Sequence, residues 1–119
     1  MYVTKVSGGS QPQPIRYCIK LGLRQYTIAF DVQQVSNEET EEIQYVWSEA
    51  VFPKGTPTYG MIVSAIIHGR YSDNDMQAII NNHLLEDGNE EHEVEWIAMQ
   101  EWRATAKSMA KQILEEIQK

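Results

Sequence analysis

One cysteine, Cys18, is all the chain has, so no disulfide can close within it. That excludes the small disulfide-braced scaffolds and points to a reducing compartment. Cys18 lies in a strand-like alternation with no base beside it in sequence, which favours a structural or half-buried thiol over a nucleophile. No apolar run approaches the roughly 20 residues a membrane-spanning helix needs. Nor does a basic stretch leading into an apolar one open the chain, so no secretory leader is expected. Positive charge is scarce: 10 Lys and Arg stand against 17 Asp and Glu, a net charge of −7. Nucleic-acid binders carry a basic face. The row Arg103, Lys107, Lys111 is explained by a solvated helix face, so direct nucleic-acid binding is not expected.

Signatures of chemistry are missing too. There is no GxxxxGK[ST], GxGxxG, CxxC, HExxH or GxSxG, and Gly8-Gly9 precedes neither a helix nor a Lys-Ser pair. Zinc needs three or four converging ligands, and the spacing of His68, His83 and His92 fixes no convergence. Asp87, Asn89 and Glu91 open like a calcium loop, but the sixth position is His92 instead of glycine and the twelfth is Ala98. Paired acids such as Asp73 with Asp75, and Glu90 with Glu91, fall where helix starts explain them. The expectation is therefore no catalytic, cofactor-binding or metal-ligating residue.

What is present is an ordinary globular balance: 119 residues, 42% hydrophobic and 23% charged. A chain of that length can bury roughly 65% of its unfolded surface in one domain. Its second half reads as three helices. The first starts near Pro57 or Thr58 and runs to Gly69; being apolar almost all round, it is expected to be the most buried. The second follows a Ser72–Asp75 capping box, with Met76, Ile79, Ile80, His83 and Leu84 on one face, and stops at Asp87-Gly88. The third, residues 90–118, is the longest. Val94, Ala98, Trp102, Ala106, Ala110 and Leu114, beside Ile97, Thr105, Met109, Ile113 and Ile117, make its predicted apolar stripe. Met99 falls on its predicted solvated row, where Glu115 and Lys119 form an i,i+4 pair.

The first half alternates with a period of two. Ile15, Tyr17, Ile19 and Leu21 predict a half-buried strand; Tyr26, Ile28, Phe30 and Val32, continuing towards Val35, predict a second; Ile43, Tyr45, Trp47 and Val51 predict a third. The polar turn Ser36-Asn37-Glu38-Glu39-Thr40 would join the last two as an antiparallel hairpin, its acids blunting the tip against edge pairing. Residues 1–6 read as a short edge strand or an unstructured lead, and Ser7 to Pro14 as a flexible tether. The predicted fold is thus α+β: a small antiparallel sheet of about three strands packed by three C-terminal helices, with a flexible segment at 1–14 and a single domain at 15–119.

Aromatics supply the candidate contact residues. Trp96 lies off the main apolar rows, so it either covers a neighbouring element or serves as a protein-contact anchor, where Trp, Tyr and Arg are enriched. Tyr71 in the first interhelical turn and Arg103 join it as possible partner-binding residues.

The run Tyr71-Ser-Asp-Asn-Asp-Met-Gln-Ala-Ile-Ile-Asn-Asn-His-Leu-Leu85, then Glu95-Trp-Ile-Ala-Met-Gln-Glu-Trp-Arg103, resembles small uncharacterised proteins of bacterial phage and prophage regions. There too a hairpin with a phrase like Asp31-Val-Gln-Gln-Val35 comes first. The resemblance covers roughly residues 25–110 and is structural in character, so it carries over no functional residue. It implies a cytoplasmic or virion-associated protein concerned with virion or tail assembly.

Three functions follow. The leading expectation is a non-enzymatic interaction or assembly component that binds a protein partner or itself. The alternative is an acidic regulator or DNA mimic, suggested by seven acids and no Lys or Arg between Glu86 and Glu101. The third is a small metal-dependent enzyme using His83, His92 or a nearby Glu.

Overall fold

The computed structural model of the chain describes residues 2–36, 38–39 and 41–119. Four strands, β1 (Tyr2–Gly8), β2 (Ile15–Lys20), β3 (Leu23–Ser36) and β4 (Ile43–Phe52), form one sheet in the order β1-β4-β3-β2. Every pairing is antiparallel. Three helices follow: α1 (Tyr59–His68), α2 (Asp73–Leu84) and α3 (Glu90–Ile117). The α+β class is as predicted, with one strand more. That strand is β1, at the sheet edge, one of the two expectations for residues 1–6. Residues 2–8 pair with β4 from Tyr2↔Val51 to Gly8↔Tyr45, so the flexible segment expected at 1–14 does not extend over them. The link 9–14 then carries the chain to the opposite edge of the sheet. Of the predicted turn 36–40, Asn37 and Thr40 lie outside the described residues, as does Met1.

Alternation in β3 and β4 sets the inner face. Tyr26, Ile28 and Phe30 point to the helices beside Ala50 and Phe52, all buried, with registers Tyr26↔Phe52 and Ile28↔Ala50. Edge strands add only Val3 and Ile15 to this core. Ser48, opposite Phe30, is buried but satisfied by Lys5, whose Nζ donates to its Oγ at 2.9 Å. Beyond Phe30 the pairing resumes at Gln33↔Val46, so Asp31 and Val32 face the single residue Trp47. This is a β-bulge, with Asp31 in the left-handed region at φ 56°. The bulge ends the predicted alternation, and Val32 is exposed.

α1 is the most buried helix, as predicted. Thr58 caps it by accepting from the Met61 amide, and Ile62, Ala65, Ile66 and Ile67 are buried against the sheet and α3. Its last turn meets the sheet so closely that a Cβ at Gly69 would lie 2.5 Å from Phe30 Cε2. α3 crosses this block with small residues, Ala106 and Ala110, fully buried at the contact. Trp102 is buried beside them, its indole N–H donating to the Ile66 carbonyl at 3.0 Å.

The apolar stripe of α3 holds from Trp102 onward, Thr105 excepted, but not before it. Val94, Ile97, Ala98 and Thr105 are exposed, whereas Met99, predicted on the solvated row, is fully buried. The cause is helical pitch: a row of residues four apart drifts about 40° per step, so Val94 lies roughly 160° around from Ala110 whereas Met99 falls within about 20° of Ala106 and Ala110. The first turns also meet α2, where Trp96 stacks on His83. α2 has its predicted capping box, Ser72 with Asp75, but no buried residue; Leu84, expected on its apolar face, is exposed. At the end of α3, Lys119 pairs with Glu116 at 2.8 Å, not with Glu115.

The half-buried reading of β2 fails for a related reason. Only Ile15 reaches the core, while Tyr17, Ile19 and Leu21 are exposed, as is Cys18. β2 is an edge strand that extends past the cover of the helices, so no element lies over its far end.

Candidate interaction site

The turn between α1 and α2 is fixed by one cluster. Arg70 grips Asp31 with two hydrogen bonds, Nε to Oδ2 at 2.9 Å and Nη2 to Oδ1 at 2.7 Å. The same guanidinium lies 3.8 Å above the centre of the Trp102 ring. Two-point geometry and ring stacking both suit arginine and would be lost with lysine. The Asp31 side chain is only 9% exposed, and the Arg70 guanidinium holds its carboxyl below the ordinary aspartate range. Without the bulge Asp31 could not turn to meet Arg70, so an irregularity in the sheet anchors the helical half.

Next to this anchor a groove of about 480 Å³ opens between α2 and α3. Tyr71, Ala78, Ile79, Val94 and Ala98 form its apolar lining, and Asp75 and Glu95 its acidic rim. A second depression of about 380 Å³ shares Arg70, Tyr71 and Ala98 and leads on towards Thr105. Ile97 is exposed on the adjoining side of α3. This is apolar surface bordered by acids, the composition of a contact centre with a polar rim.

Of the three predicted contact residues, Tyr71 lines the groove. Trp96 faces α2, its ring stacked on His83 with centroids 4.1 Å apart and planes 2° from parallel. Arg103 is half-buried, with Nη1 4.0 Å from the Met76 sulfur. These last two help seat α2 on α3, so the three do not meet on one surface.

The histidines are held apart as three separate pairs: His68 with Asp73 at 2.8 Å, His83 with Glu93 at 3.1 Å and His92 with Asp87 at 3.1 Å. Among the described residues no three His, Cys, Asp or Glu side chains gather as a metal-ligand set. His68 has a further role as the bridge from α1 to α2. Its Nδ1 donates to the Ser64 carbonyl at 2.6 Å while Nε2 faces Asp73, and that carboxylate raises its pKa. Asp87 is shifted down, first by the hydrogen bond from the Asn89 amide and then by His92.

Sequence reasoning missed the second exposed surface, the β2–β3 hairpin. Its turn is Leu21-Gly22, with φ of 53° and 78°; two consecutive positive values give the I′ geometry that matches strand twist. Glycine or asparagine suits such positions, whereas a leucine there is strained. Leu21 is also fully exposed, and Tyr17, Ile19 and Leu23 around it are exposed as well. Arg24 lies 4.6 Å over the Tyr17 ring, and its bond to the Tyr26 hydroxyl raises its pKa. A signal was there to be read: residues 1–30 hold four bases (Lys5, Arg16, Lys20, Arg24) and no acid, leaving all 17 acids and six bases to the rest. The two portions carry +4 and −11.

Among the described residues no helix is long and apolar enough to cross a membrane. In comparison with known proteins, no family model, curated sequence or solved structure matches the chain.

Proposed function

We propose that this protein is a non-enzymatic interaction module that acts in assembly, with the groove between α2 and α3 as its docking surface. The observation that carries this reading is the apolar lining of half-buried Tyr71 and Ile79 and exposed Val94 and Ala98 inside an acidic rim. Exposed apolar residues that adjoin one another, rimmed by polar ones, mark contact sites in soluble proteins. The acidic-regulator reading draws on the same acids. Val94 and Ile97, exposed among them, favour a contact with an apolar centre over imitation of a phosphate backbone. The resemblance to phage-encoded proteins supports virion or tail assembly as the setting.

The test is site-specific photo-crosslinking in cells, with a photoreactive residue at position 98 in the groove or at position 111 on the solvated side of α3. Discrete protein adducts from position 98, absent from position 111, are expected. No adduct at 98, or the same set from both positions, would overturn the reading.

A further inference from the structure

We propose that the groove between α2 and α3 receives the β2–β3 hairpin of a second copy of the chain, a head-to-tail contact that builds a ring or filament. This inference rests on the interaction-module reading and names its partner.

Charge is the first argument. The hairpin presents Lys20 and Arg24, with Arg16 beside them paired to Glu49 at 2.7 Å; Asp75 and Glu95 border the groove, whose one base, Arg70, is paired with Asp31. Opposite potentials on two patches of one chain attract between copies, and the sign difference selects patch-to-patch docking over contact of either patch with itself. Acid-rimmed groove to acid-rimmed groove would repel, and so would basic hairpin to basic hairpin.

Shape and polarity agree. A two-residue turn is the narrowest end a pair of strands can have, and this one points a fully exposed Leu21 outward. The groove, at about 480 Å³, offers Ile79, Val94 and Ala98 to an apolar plug of that kind. A leucine at a positive-φ turn position is disfavoured for the folded monomer, so its presence points to a use outside the monomer. Both patches are exposed on the same chain, and neither is filled by the other within it. A contact between unlike patches is heterologous: it closes as a ring or extends as a filament.

Sedimentation velocity over a concentration series tests this with two variants. The hairpin variant carries Lys20→Glu and Leu21→Asn; asparagine tolerates the left-handed turn. The groove variant carries Ala98→Lys at an exposed helical site. Both should keep the wild-type circular-dichroism spectrum. Wild type is expected to assemble with concentration and to dissociate as salt rises. Each variant alone should need a roughly thirty-fold higher concentration to assemble, the loss expected for a contact anchor. An equimolar mixture of the two should form a dimer and nothing larger, because one intact hairpin and one intact groove remain between them. Unimpaired assembly of the groove variant, or a mixture that stays monomeric, overturns the proposal. A wild type that is monomeric at hundreds of micromolar, with position 98 still crosslinking to another protein, overturns the second copy as occupant and leaves the docking groove standing.

Discussion

α1 and α2 are neighbours of similar length, 10 and 12 residues, each begun by a side-chain cap. They are used in opposite ways. α1 buries Ile62, Ala65, Ile66 and Ile67; α2 buries nothing completely and lays a half-covered face mainly on α3, with Asp73 tied to His68 of α1. The capping box makes α2 a helix, but its packing contributes little to the fold. A helix that contributes little to stability is free to present surface, and α2 forms one wall of the groove. Stability should therefore be concentrated in α1 and recognition at α2.

The contrast is broken most sharply by truncation. Ile66→Ala removes a side chain with no exposure and should cost about 3 kcal/mol, within the usual 2–5 for core aliphatics. Ile79→Ala, half-buried in the groove wall, should cost less than about 1 kcal/mol. Urea unfolding with a shared m-value measures both. Equal losses would show that α2 supports the fold as much as α1 does. Gly69→Ala probes the α1 end from the other direction. Its backbone is ordinary (φ −62°), but the added methyl would meet Phe30, so a loss of about 1–3 kcal/mol is expected.

Asp31→Asn tests what joins the two halves. Asparagine accepts the left-handed backbone, so the change removes charge and leaves the bulge. It should cost about 1–3 kcal/mol by leaving Arg70 half-paired over Trp102. Because Arg70 holds the Asp31 pKa down in the folded state, this stabilisation is complete above the unfolded value of about 4 and is lost as pH falls through the folded one. Wild type and variant should therefore converge in strong acid. A constant gap down to pH 2 would mean that the charge contributes nothing.

The same contrasts explain how far the sequence could be read. Helix existence and starts were legible because caps are local: Thr58, and Ser72 with Asp75, act within a few residues. The stop of α2 comes earlier than the expected Asp87-Gly88, with Leu85 as its cap and Glu86 in the left-handed region at φ 48°. Which side of α3 is covered at Val94 and Met99 follows the helical pitch of about 3.6 residues per turn: rows four apart drift about 40° per step, which carries Val94 off the buried face and leaves Met99 in line with Ala106 and Ala110. By contrast, period two in β2 shows that Tyr17 and Ile19 share a side with Ile15, but not that the sheet ends there without a helix above it. The bulge at Asp31 hid the anchor, since nothing in the run Asp31-Val-Gln-Gln-Val35 shows that Arg70 will meet it. Tyr71, singled out as an aromatic in an interhelical turn, lines the groove. The groove itself required the tertiary packing.

Leu21→Asn reverses the usual sign. At a φ of 53° a leucine is strained by about 1 kcal/mol relative to a residue that tolerates the left-handed region, and it has no burial to lose. The variant should melt a few degrees higher than wild type when both are monomeric. A lower melting temperature would mean that Leu21 supports the hairpin in a way its exposure does not reveal.

The smallest expected effect sits at the hinge between α1 and α2. Below the unfolded histidine value of about 6.5, His68 is cationic in both states, and its bond to Asp73 stabilises the fold in full. As pH rises through the raised folded value, the proton leaves and the contribution is lost. Asp73 is largely exposed, so the pair is worth a few tenths of a kcal/mol, up to about 1, and salt should reduce it. His83 and His92 are present in both wild type and His68→Gln, so their share cancels in the difference between the two. That difference should be greatest near pH 5.5 and shrink by pH 8.5. If it is equal at both, the proton on His68 is not linked to folding, and the α1–α2 turn is held by Arg70 and the capping box alone.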